Sequence, residues 1–315
     1  MNKEQLIIEN YFLPLADNRE SLQLKNDAAF LQDKNLVIST DMMIEDQHFT
    51  KKHNPEFLAK KLLRINLSDL AAMGADPFGF LLNVAIPNSD YDKWLKFFVR
   101  GLKNDMKKYK LKLFGGDMSC SKKVFLSVTI LGRTKKYSHL KNFTKSNSDI
   151  YVTGNIGDAG LGLKVNRKIP LFNCSKVCKQ RLINKHLMPS PRLNIGRLLL
   201  NKVEFCTDIS DGLIEELLII SKRSKKQVNI FLESIPISPE TKEVLYKNKQ
   251  KKVWETILFG GEDYELLFSL KPNKNLKRYK EKITKIGYFS DGSGVRIYDK
   301  DGNQFFTKKK GFSHF

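Results

Sequence analysis

Aspartates in this chain recur beside small residues, in Asn26-Asp27-Ala28-Ala29, Ser39-Thr40-Asp41, Asn66-Leu67-Ser68-Asp69, Gly115-Gly116-Asp117 and Asp208-Ile209-Ser210-Asp211-Gly212. Hard ions such as magnesium take oxygen ligands, keep several waters and share carboxylates with substrate phosphates. Glycine lets a backbone approach a phosphate closely, and a helix N-terminus adds amide donors. Any one of these segments alone reads as a turn or helix N-cap, the usual place for Asp, Ser and Gly. Taken together, with several on apolar strand ends where a charge needs a reason, they point to a shared site for magnesium and a nucleotide. None matches G-x-x-x-x-G-K-[ST], which excludes the P-loop class of nucleotide binder.

Other reactive residues offer less. The four cysteines, Cys120, Cys174, Cys178 and Cys206, are too few and too irregular for a disulfide framework. Cys174 and Cys178 could face each other on a helix, but His186 is the only further metal ligand near them. His53, His139 and His186 have no constellation around them that supports catalysis. The formal net charge of +21 would suit a polyanion. Its lysines are spread along the whole chain, however, and no aromatic residues alternate with them as stacking platforms would require. Solvated basic faces account for this charge, and nucleic acid is not expected as a partner. No apolar run reaches the roughly 18 residues of a membrane helix, and no secretory leader opens the sequence. The expectation is a cytoplasmic protein without a membrane partner.

The elements that must position these aspartates follow from apolar periodicity. Leu36-Val37-Ile38 reads as a short buried strand. A helix is expected over 55–73, with Phe57, Leu58, Leu62 and Ile65 near one face. Phe80 to Ile86 is strand-like and stops at Pro87. An amphipathic helix over 90–109 carries Trp94, Phe97, Phe98 and Leu102 on its apolar side. Strands at 111–114 and 124–131 complete an α+β first half. The polar stretch 141–149 is the best boundary. Beyond it, strands are expected at 150–153, 228–232, 265–270, 283–286 and 295–298, with helices from Asn155, near 190–201 and over 211–221. At 315 residues the chain is long enough for two domains, here 1–140 and 141–315.

Several runs resemble the thiamine-monophosphate kinase family. They are Ser39-Thr40-Asp41 with His48-Phe49, Asn66-Leu67-Ser68-Asp69-Leu70-Ala71-Ala72-Met73-Gly74-Ala75 and Gly115-Gly116-Asp117. Tyr151-Val152-Thr153-Gly154, His186-Leu187-x-Pro189-x-Pro191-Arg192, Asp208 to Leu213, Gly260 to Leu266 and Gly311-Phe312-x-His314-Phe315 continue the match in family order. The resemblance implies the aminoimidazole ribonucleotide synthetase-like fold. That is two α/β-type domains of α+β class: an N-terminal mixed sheet with helices that dimerises, and a C-terminal α+β sandwich. It implies direct in-line transfer of the γ-phosphoryl group of ATP to thiamine monophosphate, giving thiamine diphosphate, with no residue acting as covalent nucleophile. It also implies a homodimer. By the same resemblance Asp27, Ser39, Thr40, Asp41, Asp69, Asp117, Asp208 and Asp211 hold several magnesium ions. Gly116, Asp117, Lys141 and Ser210 touch ATP, and His48, Glu262 and Phe312 contact the thiamine phosphate. An aromatic at 312 could stack on a heterocycle, and a carboxylate at 262 could satisfy a cationic or amino-bearing ring.

The chain departs from the family at named points. Asn26 stands where a second carboxylate is usual, and Lys141 where arginine is usual, losing the planar fork that grips phosphate. Asp46 replaces a common glycine, Met118 a threonine, and Phe312 a Trp or Tyr. Asn26 and Lys141 keep open the alternative of a non-catalytic relative. Another ATP-dependent enzyme of the same superfamily is a further alternative.

Overall fold

The computed structural model describes residues 3–88, 91–135, 137–141, 144, 148–167, 169, 173–271 and 282–305. A short helix, α1 (Lys3–Ile7), precedes a first sheet built from β1 (Ala29–Leu31), β2 (Leu36–Ile44), β3 (Asp76–Ile86), β4 (Lys112–Cys120) and β5 (Phe125–Arg133). Its order is β1-β2-β5-β3-β4, antiparallel throughout except for the parallel pair β3/β4 at the edge. Alternation sends Val37, Ser39 and Met43 of β2, and Leu126, Val128 and Ile130 of β5, to the buried face. Two helices, α2 (Pro55–Ala72) and α3 (Asp92–Tyr109), complete that core with Leu58, Leu62, Phe98 and Leu102. Each such fully buried side chain contributes about 1.5–3 kcal/mol.

Among the described residues no helix packs on the opposite face of this sheet, where Met42 and Leu81 stand exposed. Every residue of β4 is exposed, Leu113 and Phe114 included.

The second sheet runs β11-β8-β10-β6-β9-β7. It comprises β6 (Asp149–Thr153), β7 (Phe205–Asp208), β8 (Lys226–Phe231), β9 (Leu266–Leu270), β10 (Ile283–Asp291) and β11 (Val295–Tyr298). Helices α4 (Asp158–Asn166), α5 (Lys176–Leu187), α7 (Leu213–Ser224), α8 (Pro239–Lys247) and α9 (Gln250–Phe259) contribute to one core with it. On its other face Tyr151, Cys206 and Phe268 pack against α6 (Leu193–Leu199) and against Ala71 and Ala72 of α2. All of this is the mixed α+β architecture expected.

Helix α2 therefore lies between the two sheets. It is capped by Asn54, whose side chain accepts from Glu56 N at 2.9 Å, with Pro55 in its first turn. Because both sides are covered, it buries polar groups as well as Leu and Ala, among them Lys61, Arg64, Asn66 and Ser68. Arg64 grips Asp105 of α3 through Nε and Nη2 at 2.6 and 3.0 Å and reaches Pro189 O at 3.2 Å. Helix α6 approaches α2 closely: a Cβ on Gly196 would lie 2.1 Å from Ala71 O, so glycine is what permits this contact.

Several elements differ from the periodicity reading in extent. β2 runs nine residues rather than three. β4 continues through Gly115-Gly116-Asp117, which the pattern places after a strand end. Polar and glycine residues interrupt the apolar signal there, while backbone pairing to the neighbouring strand persists. α5, α8 and α9 have no counterpart in that reading, since their buried residues are few or irregularly spaced.

Candidate active site

Two consecutive residues of α2 reach in different directions. Ser68 Oγ donates to Asp208 Oδ2 at 2.6 Å, touching the end of β7. Asp69 Oδ2 accepts from Ser39 Oγ of β2 at 2.5 Å. Ser39 Oγ is also 3.1 Å from the main-chain oxygen of Asp27, just before β1. Asp27 Oδ1 in turn receives Lys141 Nζ at 2.6 Å and Thr207 Oγ1 at 3.2 Å. Lys141 Nζ lies 3.2 Å from Glu216 Oε2 of α7. The site thus forms where an edge of each sheet meets α2.

Its charges are not neutralised by what surrounds them. Burial pushes the Asp69 carboxyl well above its usual range, and Asp41, Asp208 and Asp27 push it further. Asp208 is raised in the same direction, by burial and then by Asp27. Asp41 is pushed up to about 6 by burial and Asp27. Asp211 is pushed up to about 7, by burial and then Glu216. Burial also raises Glu216. Against these stands Lys141, whose ammonium burial would depress but Asp27 and Glu216 hold well above the ordinary lysine value.

Such a cluster calls for cations, and its donors are all hard oxygens, which suits magnesium. Asp27 Oδ2 is buried with no hydrogen-bond partner, a free donor atom inside the cluster. Among the described residues, no three Asp, Glu, His or Cys side chains close into a ready-made metal cage. An open arrangement fits an ion that retains waters and completes its shell with phosphate oxygens.

Of the residues singled out from sequence, Asp27, Ser39, Asp41, Asp69, Lys141 and Asp208 come together. Asp211 and Ser210 follow directly in the loop between β7 and α7. Thr40 does not join by its side chain. It points to the uncovered face of the sheet, where Oγ1 donates to Val128 O at 3.1 Å, leaving only its carbonyl as a ligand. Gly116 and Asp117 stay apart as well. They lie on β4, three strands from β2 and roughly 14 Å away. Asp117 shares a row with Met42, Ser127 and Asn83, on the sheet face opposite Asp41. A Cβ at Gly116 would lie 1.8 Å from Leu82 O, so only glycine lets the two strands pair there.

Asn26, the amide where a carboxylate is usual, accepts from the backbone N–H of Lys141 at 2.6 Å. Its oxygen therefore fixes the start of the Lys141 segment without a charge. Asp46, standing for glycine, has φ +68°, a left-handed conformation Asp tolerates better than most residues.

A second group of residues gathers around the loop before β9. Loop 261–265 is zipped to loop 208–211 by backbone bonds, Glu262 N to Ser210 O at 2.6 Å, Tyr264 N to Ile209 O and Ile209 N to Glu265 O, both 2.9 Å. Glu262 receives Lys61 Nζ at 3.1 Å on each oxygen. His186 Nδ1 is 2.5 Å from Glu262 Oε2, close but short of full hydrogen-bond alignment. His186, which has no supporting constellation in the sequence, thus gains one in space. His48 Nδ1 accepts from Ile44 N at 3.0 Å, which orients the ring at the end of β2. His139, by contrast, binds Gly196 O at 2.8 Å and is driven down to about 4 by burial, as a structural histidine would be. Phe312 lies outside the described residues.

Lys61 and Glu216 escape a motif reading. Lys61 sits inside an apolar helical run, where a lysine reads as solvated. Glu216 follows Asp211-Gly212 as one of two adjacent glutamates and only the helix phase selects it.

Known proteins are similar to this chain over most or all of its length. The family described as AIR synthase related protein, N-terminal domain, matches residues 25–134. The thiamine-monophosphate kinase of Buchnera aphidicola subsp. Schizaphis graminum is 39% identical over 289 residues, spanning 89% of this chain and 87% of its own. That of Haemophilus influenzae is 32% identical, spanning 98% and 97%. A solved structure, AaThiL complexed with AMPPCP and TMP, superposes with a TM-score of 0.84 at 28% identity, covering 100% of this chain and 99% of that one. The hydrogenase maturation protein HypE in complex with ATP shares the fold, at TM-score 0.68 and 16% identity over 97% of this chain and 94% of that one.

Proposed function

Because the chain belongs to the thiamine-monophosphate kinase family, we propose that it transfers the γ-phosphoryl group of ATP directly to thiamine monophosphate, giving thiamine diphosphate. The observation that carries this reading is the convergence of Asp27, Asp41, Asp69 and Asp208 around Lys141, across both sheets.

Phosphoryl transfer depends on positioning and charge neutralisation more than on a strong base. The acceptor is an anionic phosphate, so no proton need be removed from it and no covalent nucleophile is needed. Magnesium bound by the aspartates would supply the positive charge that lets two anions approach. Asp27, Ser39, Asp41, Asp69, Asp208 and Asp211, with the Thr40 carbonyl, are the residues to hold it. Lys141 is placed to move its ammonium from Asp27 to a phosphate oxygen once that carboxylate has a metal partner. Ser210 and the amides of the loop before α7 are assigned to the same polyphosphate. Glu262, His48 and Phe312 are assigned to the thiamine moiety.

Gly116 and Asp117 are too far from this cluster to serve the same copy. We assign them to the site of a second copy, paired through the uncovered sheet face with exposed Met42, Leu81 and Phe114. Residues 1–140 are then the ATP-, magnesium- and dimer-forming domain, and 141–315 the substrate domain. No helix among the described residues is long and apolar enough to cross a membrane.

The test is direct. Purified protein with magnesium, ATP and thiamine monophosphate should form thiamine diphosphate, measured by chromatography. No product above a folded Asp41→Ala control overturns the assignment.

A further inference from the structure

We propose that Lys61 and His186 are positioning residues that hold Glu262 as a clamp spanning both halves of the molecule, leaving Oε1 to accept from the amino-bearing ring of the substrate. This rests on the reading of Glu262 as a thiamine contact.

Lys61 comes from α2, at the first sheet, and Glu262 from a loop of the second; they are 201 residues apart. The lysine side chain is 5% exposed and the imidazole 2%, while Glu262 retains 26%. Burying an ammonium is costly unless it is paired, so its placement needs a reason. A tether between halves needs only an ion pair, such as Arg197 with Asp76 at the surface. Here the two partners are buried and the carboxylate alone keeps an opening.

Acceptor geometry gives the direction. A carboxylate has about four lone-pair sites. Lys61 bridges both oxygens at 3.1 Å, and His186 Nδ1 lies 2.5 Å from Oε2. Oε1 is left with the freer acceptor direction. The backbone adds rigidity, since Glu262 has φ +61° and its N–H bonds Ser210 O, tying the carboxylate to the loop assigned to ATP. Burial would raise the Glu262 carboxyl, but Lys61 and His186 outweigh it and keep it ionised. A carboxylate held so is preorganised for a ring amino donor and spends little entropy on binding.

Steady-state kinetics of the full-length protein test this, with each substrate varied in turn. Lys61→Met should raise the KM for thiamine monophosphate about tenfold or more, with the KM for ATP within about twofold. Lys61→Arg, which keeps the charge, should recover part of that loss. His186→Leu should act in the same direction, and His186→Asn, which keeps a donor near Nδ1, should be milder. If both KM values rise in step, or neither moves in Lys61→Met and His186→Leu, the clamp is overturned, the former outcome marking a tether between halves. No turnover by the unmodified protein instead overturns the kinase reading, and the role of the clamp falls with it.

Discussion

Asp69 is the residue on which the site's charges concentrate. It is half-buried, bonded to Ser39, and repelled by Asp41, Asp208 and Asp27. Asp69→Asn keeps an acceptor for Ser39 and removes one negative charge. The expected result is a loss of about 100-fold or more in kcat/KM at fixed magnesium, with a raised magnesium requirement. The same change relieves repulsion in the metal-free protein and should stabilise it by roughly 0.5–2 kcal/mol, read from urea unfolding in EDTA. An unchanged magnesium requirement would remove Asp69 from the metal set.

At the scale of elements, the site depends on α2 keeping its distance from both sheets. Gly196 of α6 sets one of these distances, with Ala71 O where a Cβ would go. Gly196→Ala should force the two helices apart and cost about 1–3 kcal/mol in unfolding free energy. Ser68 and Ala71 lie a turn apart on α2, so the shift should also loosen the Ser68–Asp208 contact. Activity should therefore fall further than the population of folded protein explains, which parallel melting and kinetic measurements would separate. Equal losses would mean that α2 absorbs the strain without moving the site.

The whole molecule carries a cluster of carboxylates whose folded state favours protons. Asp41 near 6, Asp211 near 7 and the strongly raised Asp69 and Asp208 all lie above their unfolded value of about 4. A raised acid binds more protons folded than unfolded, so stability falls as pH rises through the folded pKa. Metal-free protein should therefore melt at higher temperature at pH 6.5 than at pH 8. Below about 6.5 His139 acts in reverse, since burial drives it down to about 4 and the unfolded chain takes the proton. Magnesium should raise the melting temperature more at pH 8 than at pH 6.5, because ionised carboxylates bind it and protonated ones do not. Thermal scans with magnesium and with EDTA check both signs. A melting temperature that rises with pH in EDTA over this window would count against the cluster's raised values.

Residue types and the order of their motifs were enough to name the family, the phosphoryl chemistry and most of the aspartates. These depend on short runs such as Asn66 to Ala75, whose identity is local. Helix α2 and the amphipathic α3 were legible too, α3 because one periodic apolar face survives in the sequence and α2 because its apolar run is long. What the sequence left undetermined is which groups meet. Ser68 and Asp69 are neighbours in the chain, yet one bonds β7 and the other β2. Asp41 and Asp117 carry the same chemistry, yet strand alternation puts them on opposite faces of one sheet. Lys61 reads as a solvated lysine until the second half of the molecule closes over it and supplies Glu262. Those pairings are set by packing between distant segments, and only the tertiary structure decided them.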